Sequence, residues 1–184
     1  MSKRLFGWLV LGMVSGLAGA ATAAKEPLVS TTLVDVVRAS TEPFHNPAQA
    51  ALAGYGSTGS CVSGPEEGAM GIHYANGALV GDGQLDAERP EVLIYEQQKT
   101  GGLRLVGVEF LVIADAWHAA SAAPPVLMGQ HFHYVGSPNR YGLPPFYELH
   151  VWAWRNNPNG AFADWNPKVS CMHFHGEGSD ANSR

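Results

Sequence analysis

The sequence predicts an α+β domain: short N-terminal helices followed by an antiparallel, curled or barrel-like sheet closed by one disulfide. Three observations predict it. From Ala69 onward most apolar residues recur at strand spacing, in short runs separated by Gly, Pro and Asn. Ahead of them, helix start and stop residues bracket short apolar stretches. Two cysteines, Cys61 and Cys171, flank nearly the whole strand-rich region, 110 positions apart.

The elements follow in chain order. Leu28 to Arg38 has near-helical spacing, with Leu33, Val36 and Val37 on one stripe. Asn46 is placed as an N-cap, Pro47 suits the first helical position, Ala48 to Leu52 continue the helix, and Gly54 stops it. Gly54 to Gly68 carries loop chemistry throughout. Strands are expected at Ala69–Ala75, Glu91–Glu96 and Leu103–Ala114, the last two joined by a hairpin turn at Lys99–Gly102. Ala116 to Ala123 reads as a helical turn. Further strands are expected at Val126–Val135 and Tyr147–Arg155.

The first 23 residues read as a secretory leader. Lys3 and Arg4 form the positive end, Leu5 to Leu17 the apolar stretch, and Ala21-Thr22-Ala23 the cleavage site. The apolar stretch is short of the roughly 20 residues that span a bilayer. The mature chain is therefore expected to start at Ala24, with a single domain over residues 24–171 and a flexible polar tail over 172–184. Localisation is expected to be periplasmic or extracellular, with no membrane span after cleavage. Losing Lys3 and Arg4 takes the formal charge from −5 to −7. The remaining basic residues are scattered, which argues against nucleic acid and against an anionic membrane surface as partners. In an oxidising compartment an even cysteine pair reads as a disulfide. Closing so long a loop is worth about 4–5 kcal/mol in the chain-entropy model. A Cys–His metal site is the alternative. Cys171 precedes His173 and His175, but Cys61 has no ligand-type neighbour at metal spacing.

At "AMGIHYANGAL", "RPEVLIYE", "LRLVGVEF" and "YGLPPFYELHVWAWRNNPNGAFADWNPKVSC" the chain resembles a group of small exported bacterial proteins. The resemblance covers roughly Pro43 to Cys171. It implies an exported single domain containing both cysteines, and it carries no activity. "GQHFHY" holds the His-x-His pair of cupins at His131 and His133, but no carboxylate follows and the partner motif is absent.

The residues that could carry chemistry stand out against their surroundings. Glu109 sits in "LVGVEFLVIA", with Leu103, Leu105, Gly107, Leu111 and Ile113 expected on its own face. A bare carboxylate buried there costs several kcal/mol, so it must be protonated, paired or metal-bound. In "FYELHVWAW", Tyr147, Leu149, Val151 and Ala153 form a core face. Phe146, Glu148, His150, Trp152 and Trp154 form the other. Glu148 and His150 then lie about 6.5–7 Å apart at Cα, which suits convergence on a third object. His73 has small residues, Gly71 and Ala75, on its face. His131 and His133 would share a strand face, a pattern that can ligate a metal.

These residues give two main readings and a plainer one. The first is a small-ligand or metal-binding domain with a pocket walled by Tyr74, Tyr147, Glu148, Trp152 and Trp154. Its metal ligands would come from His73, Glu109, His150, His131 and His133, holding one transition metal ion (Zn, Fe, Mn or Cu) and no other cofactor. The second is a metal-dependent enzyme on the same His/Glu set. The third is a structural or envelope-interaction protein whose polar core residues satisfy one another. Nucleophile-elbow, phosphate-loop, zincin and C-x-x-C patterns are all missing from the sequence, and the acidic turn at Asp82, Asp86 and Glu88 departs from a calcium loop. The expected outcome is a shared pocket in which His73 or Glu109 meets Glu148 and His150.

Overall fold

The computed structural model describes residues 31–176. Residues 1–30, where the leader is expected, and residues 177–184 lie outside them. Among the described residues, no helix is long and apolar enough to cross a membrane.

Helix α1 (Leu33–Thr41) starts at Thr32, whose hydroxyl accepts from Asp35 N while Asp35 caps Thr32 in return. That reciprocal capping box satisfies two backbone donors that the first turn leaves unpaired. A 3-10 turn over Glu42–His45 leads to α2 (Pro47–Leu52), capped by Asn46 as the sequence predicts. Strand β1 (Gly56–Ser63) follows where a loop is expected. Its Gly, Ser and Thr residues give no apolar alternation because it is an edge strand and largely exposed. Then come β2 (Ala69–Ala75), a short helix α3 (Gly77–Val80), β3 (Val92–Gln97), β4 (Leu103–Ile113) and α4 (Ala114–His118).

The strand expected over Val126–Val135 is broken into three: β5 (Val126–Leu127), β6 (Gln130–His131) and β7 (His133–Val135). Met128 and Gly129 both have positive φ, 47° and 85°, and turn β5 back onto β6. Strand β8 (Phe146–Val151) is the last and is shorter than expected.

Six strands form one curled antiparallel half-barrel in the order β1, β2, β3, β4, β8, β7, while β5 and β6 make a separate ribbon. One face of the large sheet carries Leu93, Tyr95, Val108, Phe110, Leu149 and Val151. It packs against Leu33 and Val37 of α1 and Ala50 of α2. Burial of this face is worth about 25 cal/mol for each Å² of apolar surface removed from water. Arg38 clamps α1 to the end of β8 by donating from Nε to the Ala153 carbonyl at 2.8 Å.

The other face carries the unusual polar residues, and two irregularities shape it. Between β3 and β4 the register runs Ile94 to Gly107 and then Tyr95 to Leu105, so Val106 is an extra residue. Below this bulge the alternation flips. Leu105 joins the helix-side core, and Val106 joins a smaller cluster with Ala69, Ile94, Trp152 and Val169. The expectation that Leu103 and Leu105 share a face with Glu109 is therefore corrected. Beyond β8 the chain turns tightly, with Ala153 N bonded to Val151 O at 2.9 Å. Trp154 consequently leaves the face of Trp152. Its indole packs against the helix-side core and donates to Thr41 Oγ1 at 3.0 Å.

The chain then returns over the start of β2, where Asn166 and Ala69 exchange backbone hydrogen bonds. Cys171 is bonded to Cys61 as expected. Just beyond it, His175 N donates to Gln97 Oε1 at 3.2 Å, so the described part of the tail is held against β3.

Candidate metal centre

Three strands of the sheet, β2, β4 and β8, supply the site. His73 projects from β2, Glu109 from the middle of β4, and His150 and Glu148 from β8. Glu109 and His150 are direct cross-strand partners, so their side chains rise side by side on one face. His73 reaches them across β3, where it pairs with Ile94. Gly107, next along the same face as Glu109, has no side chain to stand in the way. A Cβ there would meet Val151 O at 2.7 Å and Trp152 Cε3 at 3.3 Å, so Trp152 folds down over it. The Trp152 ring stacks on His150 at 6.2 Å between centroids and 21° between planes.

Among the described residues, two groups of metal-competent side chains come together. His73, Glu109 and His150 form the first, each offering a ligand atom within 4.8 Å of the others. Glu148, His150 and Asp164 form the second, on the same criterion. His73 Nε2 lies 3.5 Å from Glu109 Oε2, and the two imidazoles meet edge to face with centroids 6.1 Å apart. Asp164 comes from the loop after β8. Its Oδ1 stands 3.8 Å from His150 Nδ1 and 3.1 Å from His133 Nδ1.

Both nitrogens of His150 are buried without a hydrogen-bond partner, as is Oε2 of Glu148, and His73 has no well-formed hydrogen bond, only a weak one with the Gly71 backbone. Buried polar atoms of a native protein are nearly all paired, and each unpaired one costs about 1–3 kcal/mol. Burial holds both imidazoles neutral by pushing the His73 pKa down to about 4 and that of His150 down to about 3. A neutral imidazole has a free lone pair, which is the form that binds a metal. The carboxyls shift the other way. Burial, then the charge of Glu148 and the hydrogen bond between the two side chains, raise Glu109 well above the usual carboxylate range. Burial raises Glu148 as well, while the hydrogen bond from Glu109 opposes it. The larger shift at Glu109 favours its protonated, neutral form.

A cavity of about 410 Å³ lies beside this cluster, with His73 and Glu109 in its wall. Val92, Leu111 and Leu143 make it largely apolar, Thr58 and Ser60 add hydroxyls, and Arg140 and Tyr141 stand at its edge. The Tyr141 ring also meets His73 at 6.2 Å.

The structure thus brings His73, Glu109, Glu148 and His150 together, with Trp152 stacked on one side. His133 borders the group as the cross-strand partner of Glu148 and through its contact with Asp164. His131 is exposed on the β5–β6 ribbon, because the strand breaks at Phe132 and leaves His131 in β6 and His133 in β7. Tyr74 alternates with His73 and so faces away from it, packing edge-on against Tyr95 at 4.8 Å. Trp154 is displaced by the turn after β8, and its ring meets His45. Tyr147 lies on the opposite face of β8, where its hydroxyl contacts His118 Nε2 at 3.0 Å. Asp164, Arg140 and Tyr141 are absent from the sequence-based site because each sits in a loop, where no periodicity assigns a direction.

No protein-family model, curated protein or solved structure matches this chain.

Proposed function

We propose that this protein is an exported metal-binding domain in which His73, Glu109 and His150 hold a transition metal ion beside the apolar cavity. One observation carries the reading. Two buried neutral imidazoles, with neither nitrogen of His150 hydrogen-bonded and His73 touching only the Gly71 backbone, converge on a buried carboxyl. A structural role for these rings leaves that desolvation uncompensated, whereas a cation offsets it. Two imidazoles and one carboxylate suit Zn, Fe, Mn or Cu. Export is supported by the leader-like first 23 residues, by the disulfide, and by the resemblance to small exported bacterial proteins.

A second reading, a metal-dependent enzyme, is favoured by the cavity alone. An ion bound by three protein groups keeps positions open toward it, where a small molecule could enter.

The test is elemental analysis of untagged protein taken from the exported compartment, followed by chelation and titration with Zn(II), Mn(II), Fe(II) and Cu(II). Wild type is expected to carry or take up metal, and His73→Ala with His150→Ala to lose it. Metal-free protein that binds none of the four ions above background would overturn the reading.

A further inference from the structure

We infer that the centre takes a second divalent cation, held by Glu148, His150 and Asp164 beside the first, so that the site is a two-metal centre. This deepens the proposed function and rests on it.

The second group is built, and is more than a cluster of acids. His150 is fully buried, and its Nδ1 has no hydrogen-bond partner although it faces Asp164 Oδ1 at 3.8 Å. That spacing is too long for a hydrogen bond and leaves room for an ion between the two atoms. Glu148 is 6 % exposed, and its Oε2 is likewise unpartnered. Two orphaned ligand atoms from neighbouring positions of one strand thus turn toward one loop carboxylate. With Nδ1 on the Asp164 side, Nε2 of the same ring is the nitrogen left for the His73–Glu109 ion. To serve both ions His150 binds as imidazolate: its remaining ring N–H proton is released to solvent as the second ion binds, which frees a lone pair at each nitrogen.

Charge leads to the same count. Glu109, Glu148 and Asp164 place three carboxyl groups around two imidazoles. One divalent ion balances two carboxylates and leaves the third group to keep its proton. Three carboxylates and the His150 imidazolate carry four negative charges, which two divalent ions balance. His133, within 3.1 Å of Asp164, borders the second ion from the open side, and its side chain is 61 % exposed. This side chain gives the ion a path inward from β7.

The experiment is metal stoichiometry on the full untagged chain, stripped by chelation and titrated with Mn(II) alone. Bound ion is counted after gel filtration, and the electron paramagnetic resonance spectrum is recorded. Wild type is expected to bind two ions per chain and to show an exchange-coupled pair. Asp164→Asn is expected to bind one, with an uncoupled signal. His133→Gln, a change at an exposed position that preserves the fold, is expected to weaken the second ion about tenfold and leave the first unchanged. A single ion in wild type, with Asp164→Asn changing only its affinity, overturns the second site and leaves the His73–Glu109–His150 site standing. No bound ion in wild type overturns both.

Discussion

A fully buried imidazole with neither nitrogen paired is costly in any protein, and His150 is such a residue. Its cost has a signature in pH. The unfolded chain takes up a proton near the ordinary pKa of 6.5, but burial delays the folded state to about 3. Because the unfolded state binds the proton first, stability is full above 6.5 and is lost as pH falls through the window between these values. Between about pH 7 and pH 5 the loss is roughly 2 kcal/mol for this one ring. Neighbouring carboxyls titrate in the opposite sense, so the prediction concerns a difference. In metal-free protein, wild type should lose about 2 kcal/mol more than His150→Gln between urea melts at those pH values. Parallel losses would show that His150 finds a partner in solution. Glu109 and His150 are legible in the sequence because each breaks a strong local pattern, a charge in an apolar run and a polar face on an alternating strand. Asp164 breaks no pattern. A single Asp in a turn after β8 is ordinary until the fold lays that turn over His150.

Gly107 acts at the scale of the element. Trp152 and the Val151 carbonyl occupy the space where its side chain would be. The neighbouring bulge at Val106 turns Leu105 to one core and Val106 to the other. Together they let β8 close down on β4, which sets His150 opposite Glu109. Gly107→Ala forces a Cβ to within 2.7 Å of backbone that has no flexible way to yield. The expected cost is about 1–3 kcal/mol by denaturant unfolding, together with weakened metal binding as β8 moves away. Unchanged stability and affinity would show that the closure of β8 on Gly107 does not position the site. Most of the strands were legible, because β2, β3 and β4 are buried and strongly apolar. Strand β1 was not, since an exposed edge strand needs no apolar face. The division of 126–135 into three strands was not either, since Met128 gives no sign of the positive φ it adopts. The Trp154 error has the same source: a tight turn after Val151 reverses the alternation, and a two-residue period cannot foresee it.

At the scale of the whole molecule the polar face is closed by parts distant in sequence. The disulfide ties the edge strand β1 to the C-terminal segment, and β1 supplies Thr58 and Ser60 to the cavity. The loop before β8 supplies Arg140 and Tyr141, and the loop after it supplies Asp164. The α+β class, the disulfide and the face that carries the site follow from the sequence. The cavity does not, because three loops and an edge strand build it. All of these parts surround His73, Glu109 and His150, and whether an ion binds there decides the account. The most direct measurement is anomalous diffraction from crystals of untagged protein grown with Zn(II), recorded on both sides of the metal absorption edge. The account predicts a peak bonded to His73, Glu109 and His150 at about 2.0–2.2 Å. A map with no peak there, or with zinc only at exposed histidines such as His131 and His175, would contradict it.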